Sequence, residues 1–290
     1  MRCTINRRAQ FSASHRYWLS ELAEAENQAR FGACSSFPGH GHNYVLYVSL
    51  EGEIDQYGMV QNLSRVKQVI KQEVTSQLQY THLNDVWPEF RETLPTTENI
   101  ARTIWQRLSP HLPLTNIRLL EHPQLWADYQ GKAMEAKLTI ETHFSAAHRL
   151  ALPQLSQEEN AEIYGKCARP HGHGHNYHLE ITVAGEIDPR TGMLVDLGKL
   201  QQVVDDYVVE PFDHTFLNKD IPYFAEVVPT AENIALYIAQ LLEAPIRALG
   251  TTIDKVKLVE SPNNSCEIDC RQRAHDLASL KSREPALASC

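Results

Sequence analysis

Lysine and arginine never gather into a run, and no apolar stretch reaches the ~20 residues of a membrane span. Acidic residues outnumber basic ones by 36 to 27, which argues against a general nucleic-acid surface and gives no sign of a membrane partner. That balance still leaves room for an anionic small substrate, because a few local Arg and Lys side chains can hold phosphates inside an acidic protein. The opening Met1-Arg-Cys-Thr-Ile-Asn-Arg-Arg runs straight into a strand pattern, without the apolar centre of a signal peptide. Cysteine is scarce as well, with six in 290 residues, so no disulfide framework is expected. Cys34 and Cys167 lie next to histidine-rich segments, whereas Cys3, Cys266, Cys270 and Cys290 read as bystanders. A reducing cytoplasm is the expected setting.

What the chain does hold is a repeated constellation. Cys167-Ala-Arg-Pro-His171-Gly-His173-Gly-His175-Asn-Tyr177 leads into the alternating run Tyr177-His-Leu179-Glu-Ile181-Thr-Val183. Side chains two apart in an extended strand share a face. His173 and His175 can therefore aim both imidazoles at one point, as two ligands of a tetrahedral ion must. Cys34-Ser-Ser-Phe-Pro-Gly-His40-Gly-His42-Asn-Tyr44 is an earlier version, and Phe11-Ser-Ala-Ser-His15-Arg matches Phe144-Ser-Ala-Ala-His148-Arg. His15, Cys34, His40 and His42 each recur 133 positions later. An offset of small-domain size, kept by four chemically significant residues, makes the chain a tandem repeat of one domain. The first copy has no histidine matching His171, so His171 is the expendable one.

Each copy reads as two strands, two helices and two strands, an α+β unit, over 1–131 and 136–273, followed by a loosely held tail, 274–290. In the first copy strands are expected at 4–15 and 43–54. Leu63, Val66, Ile70, Val74 and Leu78 have helical spacing, as do Ile100, Ile104 and Leu108 behind Pro95-Thr96-Thr97-Glu98, which offers a capping hydroxyl and an early acid. A hairpin over 116–122 and 125–130 closes the unit. The second copy repeats this with strands at 136–150 and 176–187, helices at 197–209 and 231–242, and strands at 254–261 and 265–270. The join at 129–135 is short, so the copies are expected to dock rather than tumble independently.

His148, and His15 in the first copy, would reach the paired histidines from the neighbouring strand. Three histidines and an open fourth position describe a catalytic zinc rather than a structural one. Cys167 lies too close along the chain to wrap onto the same ion easily, and reads as a nucleophile or base beside it. A thiol next to a cation and a charged His–Asp pair is expected to ionise readily, and Asp213-His214 supplies such a pair. Glu260 ends an alternating strand and can point inward, where a heterocycle with adjacent N–H groups would satisfy it.

These segments resemble a known family. Phe144-Ser-Ala-Ala-His148-Arg, Tyr164-Gly-Lys-Cys167, Gly172-His173-Gly-His175-Asn-Tyr177, Asp213-His214, Ile221-Pro-Tyr-Phe224 and Thr230-Ala-Glu232-Asn233 are similar to 6-pyruvoyltetrahydropterin synthase and the related 6-carboxytetrahydropterin synthases, nearly end to end. The resemblance implies the tunnelling fold (T-fold), a four-stranded antiparallel sheet with two helices on one face, and assembly into barrels. It implies Zn2+ on His148, His173 and His175, and again on His15, His40 and His42. It makes Cys167 the proton-abstracting base, Asp213 and His214 its partners, and Glu260 the anchor of a pterin ring, with Glu232 a further contact. Cys34, Glu121 and Glu98 are the first copy's equivalents. The implied substrate is 7,8-dihydroneopterin triphosphate, with no organic cofactor and a homo-oligomer of three chains imitating a hexamer.

The pyruvoyl product of tetrahydrobiopterin-type synthesis is favoured, with the carboxy product of queuosine biosynthesis as the alternative. A zinc- or pterin-binding protein without catalysis is the reading from another class. Where the second copy has Phe212-Asp213-His214, the first reads Tyr80-Thr81-His82. His82 is therefore expected to stand in for His214, with the aspartate lost to Thr81.

Overall fold

The computed structural model describes residues 1–271, so the tail expected from 274 and the last residues of the second copy lie outside the described residues. Two compact units are present. One comprises Met1–Thr139 with Ala184–Val195, and the other Ile140–Val183 with the described residues from Asp196.

In the first copy β1 (Arg2–His15) and β2 (His40–Glu53) run antiparallel, with Phe11 opposite Tyr44, Ala13 opposite His42 and His15 opposite His40. The short β3 (Thr81–His82) joins β1 in parallel, and β4 (Leu114–His122) and β5 (Leu125–Tyr129) extend the sheet from β2. The strand order is β3-β1-β2-β4-β5. Tyr44, Leu46, Val48 and Leu50 alternate on the buried face, the period-two pattern of a sheet covered on one side. Val66, Ile70, Val74 and Leu78 are buried along the helix Leu63–Ile70 and its π-helical continuation, and Ile100, Ile104 and Leu108 along the helix Thr97–Leu108. The second copy repeats the plan in β6 (Glu135–His148), β7 (His173–Glu186), β8 (Thr215–Phe216), β9 (Thr252–Ser261) and β10 (Asn264–Asp269). Its order is β10-β9-β7-β6, with β8 parallel to β6. The α+β arrangement expected of each copy is present. The helix Ala231–Ala248 runs through Pro245, beyond the end expected at 242.

One element escapes the periodicity argument in both copies. The helices Glu24–Phe31 and Gln157–Tyr164 have no apolar stripe to announce them. Each is held by one buried asparagine. Asn27 Oδ1 accepts the Leu19 N–H at 2.8 Å, and its amide donates to the Leu19 and Leu22 carbonyls at 3.0 and 3.1 Å. Asn160 does the same for Leu152 and Leu155. The helices end at Gly32 and Gly165, whose φ values of 53° and 58° lie in the left-handed region that glycine adopts without cost. The chain then enters the 3-10 turns Gly32–Ser35 and Gly165–Ala168, which carry Cys34 and Cys167.

Asn27→Ala or Asn160→Ala should accordingly destabilise its unit by about 3 kcal/mol, because several buried backbone groups lose their partner together. Urea unfolding measures it, and a loss under about 1 kcal/mol would contradict this account of the loop.

Candidate active site

The histidines converge as the strand register dictates. His15 is fully buried, and its Nδ1 lies 2.9 Å from the Pro95 carbonyl oxygen. A carbonyl only accepts, so Nδ1 carries the proton and Nε2 presents a lone pair. His40 Nε2 and His42 Nε2 stand 3.1 and 3.2 Å from that atom. Donors about 2.05 Å from a tetrahedral ion lie about 3.3 Å apart, so this spacing matches a three-nitrogen metal site with one open position. Burial, the largest cause, depresses His15 to about 3, which keeps it in the neutral form a metal requires. The second copy repeats the set. His148 Nδ1 donates to the Pro229 carbonyl at 2.8 Å, and His148 Nε2 lies 3.1 Å from His173 Nε2. In each triad the candidate ligand atoms all fall within 4.8 Å of one another, with His175 completing the second group.

Carboxylates face both triads. Glu121 Oε1 is 3.4 Å from His42 Nε2, while Glu121 Oε2 accepts the Thr97 hydroxyl at 2.6 Å. Glu260 Oε1 is 3.7 Å from His175 Nε2 and 3.8 Å from His148 Nε2. Ala231 occupies the position of Thr97, so Glu260 has no such hydroxyl beside it. The cysteine turns are tied to the same strand ends. The Tyr17 N–H donates to the Cys34 carbonyl at 2.8 Å, and the Leu150 N–H to that of Cys167 at 3.0 Å. The Cys34 side chain packs with Leu19, Phe31 and Leu94. Burial, reinforced by the Glu121 carboxylate, pushes its thiol upward, so without a bound cation Cys34 resists ionisation.

The expected match of His82 with His214 is overturned. The His214 N–H donates to the Ser145 carbonyl at 2.6 Å, and it is the Tyr80 N–H that makes this bond to Ser12, at 2.7 Å. Both residues are left-handed, with φ values of 57° and 61°. The Ser145 N–H donates to Asp213 Oδ1 at 2.7 Å, and the Ser12 N–H to Gln79 Oε1 at 3.2 Å. The hydroxyls of Thr215 and Thr81 bond back to the carbonyls of Phe212 and Leu78. Gln79 and Tyr80 thus replace Asp213 and His214, so the first copy has lost both members of the pair. Matching His82 with His214 implies an offset of 132 residues, two short of the 134 that relates Thr81 to Thr215 and Asn84 to Asn218.

His82 stands where Phe216 does. Its Nδ1 lies 3.1 Å from Asp85 Oδ2, its Nε2 is buried without a partner among the described residues, and it lines a cavity of about 440 Å³ together with His42 and Tyr80. In the second copy Asp213 Oδ2 lies 2.6 Å from His214 Nδ1. The Ser145 N–H first, and His214 second, hold the Asp213 carboxyl below its usual range. With His214 84% exposed, the pair faces outward. Sequence reasoning missed the orienting carbonyls of Pro95 and Pro229. The repeated Pro-Thr-x-Glu-Asn motif was the signal that could have pointed to them.

Glu98 is nearly fully buried, and Glu98 Oε1 accepts the Leu194 N–H at 2.9 Å. Glu232, its counterpart, is exposed.

Fold and site together define a tandem α+β protein with a three-histidine centre in each copy. A family model described as 6-pyruvoyl tetrahydropterin synthase matches residues 4–132 and again 137–271. The chain belongs to that family, one of enzymes. It is 45% identical over 134 residues to the 6-pyruvoyl tetrahydrobiopterin synthase of Homo sapiens, covering 46% of this chain and 91% of that protein. It is 33% identical over 135 residues to a putative 6-carboxy-5,6,7,8-tetrahydropterin synthase of Archaeoglobus fulgidus, over 46% of this chain and 96% of that one. The solved 6-pyruvoyl tetrahydropterin synthase of Caenorhabditis elegans aligns with 48% of this chain and 97% of its own, at 36% identity and a TM-score of 0.44.

Burial raises Glu98 from 4.5 to about 7, against the pull of the Leu194 N–H. The folded protein keeps Glu98 neutral up to that pH, whereas the unfolded chain ionises it from about 4.5 upward. Stability is therefore complete below pH 4.5 and falls as pH rises towards 7, by up to about 3 kcal/mol. Glu98→Gln should flatten this part of the profile, and urea unfolding at pH 5 and pH 8 reads the difference. Equal pH dependence in both proteins would show that Glu98 is ionised in the fold.

Proposed function

We propose that the protein is a zinc-dependent lyase that acts in the cytoplasm on 7,8-dihydroneopterin triphosphate and releases triphosphate. The observation that carries this is the convergence of three imidazole nitrogens at tetrahedral ligand spacing beside an inward carboxylate, with a cysteine turn bonded to the same strand end. His148, His173 and His175, and in the first copy His15, His40 and His42, would hold the ion. When bound, zinc supplies Lewis-acid polarisation of hydroxyl groups on the substrate side chain.

The protein's own groups do the rest. Glu260 accepts the adjacent N–H groups of the pterin edge, fixing the ring so that its side chain reaches the triad. Cys167 takes a proton from carbon as triphosphate departs. Asp213 fixes the tautomer of His214, whose Nδ1 donates to the carboxylate, and leaves Nε2 open to move a proton. In the first copy Gln79 and Tyr80 cannot perform that transfer. Its metal site and Glu121 are kept, and His82 pairs with Asp85 at that cavity. The greater identity to pyruvoyl than to carboxy relatives supports the pyruvoyl product.

Purified protein should contain about two zinc ions per chain, one per triad, and His148→Ala should remove one of them. Incubated with 7,8-dihydroneopterin triphosphate it should release triphosphate, and mass spectrometry of the pterin separates the pyruvoyl product, the carboxy product and unreacted substrate. Absence of any turnover with zinc loaded would favour a binding protein.

Cys167→Ala and Asp213→Asn should each lower turnover by roughly a hundred-fold or more with zinc content unchanged. Cys34→Ala should leave most of the activity. Gln79→Asp with Tyr80→His, rather than any change at Thr81, should raise what remains in the Cys167→Ala protein. Equal losses from the two cysteine variants would mean the copies contribute alike.

A further inference from the structure

On the sheet face turned away from the buried core, the second copy carries a group of side chains that the first does not. β6 and β7 bury Phe144, Tyr177 and Leu179 on one face, so the strand period puts Glu141, His143, His178 and Glu180 on the other. Their register is that of the first copy. The Ser145 hydroxyl donates to Asn176 Oδ1 at 2.9 Å, as that of Ser12 does to Asn43 Oδ1 at 2.8 Å, and Ser12 lies opposite Asn43. Two residues away along each strand, His143 therefore lies opposite His178, and a further two put Glu141 opposite Glu180. The first copy has Gln10 opposite Val45 and Arg8 opposite Tyr47 at these positions. Neither histidine belongs to a triad.

The two imidazoles have the protonation and spacing that a metal ion can use. His178 Nδ1 lies 3.1 Å from Glu141 Oε1. A carboxylate only accepts, so Nδ1 carries the proton and Nε2 keeps a lone pair, the arrangement in which a carboxylate orients a metal-binding histidine. His178 is 54% exposed, and His143 is exposed as well, with neither of its ring nitrogens hydrogen-bonded among the described residues. The two ring centroids are 6.3 Å apart, against 4.5 to 5.2 Å between rings within the triads. Rotation of two exposed side chains about their χ angles closes a gap of about 1 Å. Charge points the same way. Carboxylates directly opposite each other in a sheet repel. Glu180 meets Lys257 Nζ at 2.6 Å, whereas the partner of Glu141 is His178. A divalent ion on His178 adds positive charge where the two acids face each other.

We propose that His143 and His178 form a metal site apart from the triads, open to solvent, for one divalent ion that prefers imidazole, Ni2+ or Cu2+. Nε2 of His178 and one ring nitrogen of His143 are the protein's ligands, and water completes the shell. Glu141 is the positioning residue, acting through the Nδ1 proton of His178. The first copy has neither imidazole, so each chain holds one such site.

Metal uptake reads this without reference to turnover, so the inference stands or falls apart from the proposed reaction. Full-length protein, desalted after purification and with its zinc counted, should take up at least one equivalent of Ni2+ in a calorimetric titration. His143→Gln with His178→Gln should remove one equivalent, and Glu141→Gln should weaken that equivalent ten-fold or more. Circular dichroism and zinc content should stay as in wild type in all of these variants, because the side chains lie on the uncovered face. His148→Ala, which breaks a triad, should leave the Ni2+ equivalent in place. Wild-type protein that takes up no Ni2+ overturns the site. So does a double histidine variant that binds Ni2+ as wild type does, or loss of the equivalent in His148→Ala.

Discussion

The rest of each site depends on one hydrogen bond, from a buried histidine Nδ1–H to a proline carbonyl. His15 to Pro95 and His148 to Pro229 join the end of a long strand to the start of the second helix, across some 80 residues of chain. A buried imidazole without a partner would be costly, and one with a carbonyl partner has only one allowed tautomer. That tautomer turns Nε2 towards the neighbouring strand. The antiparallel register then brings His40 opposite His15, and the two-residue strand period puts His42 on the same side. Proline is suited to the other end of the bond. Its fixed backbone leads into Thr96 or Thr230, whose hydroxyl caps the helix, so the accepting carbonyl is held by the same turn that starts the helix.

Around this shared frame the copies diverge at their rims. Only the second has Asp213 and His214 at the turn before its short strand, where the first has Gln79 and Tyr80, and that pair faces solvent. Only the first has a threonine hydroxyl on its inward glutamate and a fully covered acid, Glu98, at the helix start. The centre of each site is over-determined by sheet register and burial, so substitutions there are punished. The rim residues answer only to what docks or reacts there, which leaves them open to change when one chain carries two versions.

Much of this was legible in the residues. The 133-residue offset, the alternating strands and the His-x-His pairs each reflect a local period, and local periods survive in sequence. The helices Glu24–Phe31 and Gln157–Tyr164 were not legible, because a single buried asparagine holds each one rather than an apolar stripe. The pairing of His82 with His214 was misread for a related reason. Identity of letters favoured that alignment, whereas equivalence is set by which backbone N–H reaches the serine carbonyl on the first strand.

By itself the sequence determined that there are two copies, that each is an α+β unit, and which six histidines form the triads, since these follow from repetition and from side-chain direction along a strand. Only the tertiary structure decided the tautomer of His15 and His148, the loss of both dyad members from the first copy, and which of the paired acids is buried. Each of those is a matter of which atoms meet across tens of residues of chain, and no local period records it.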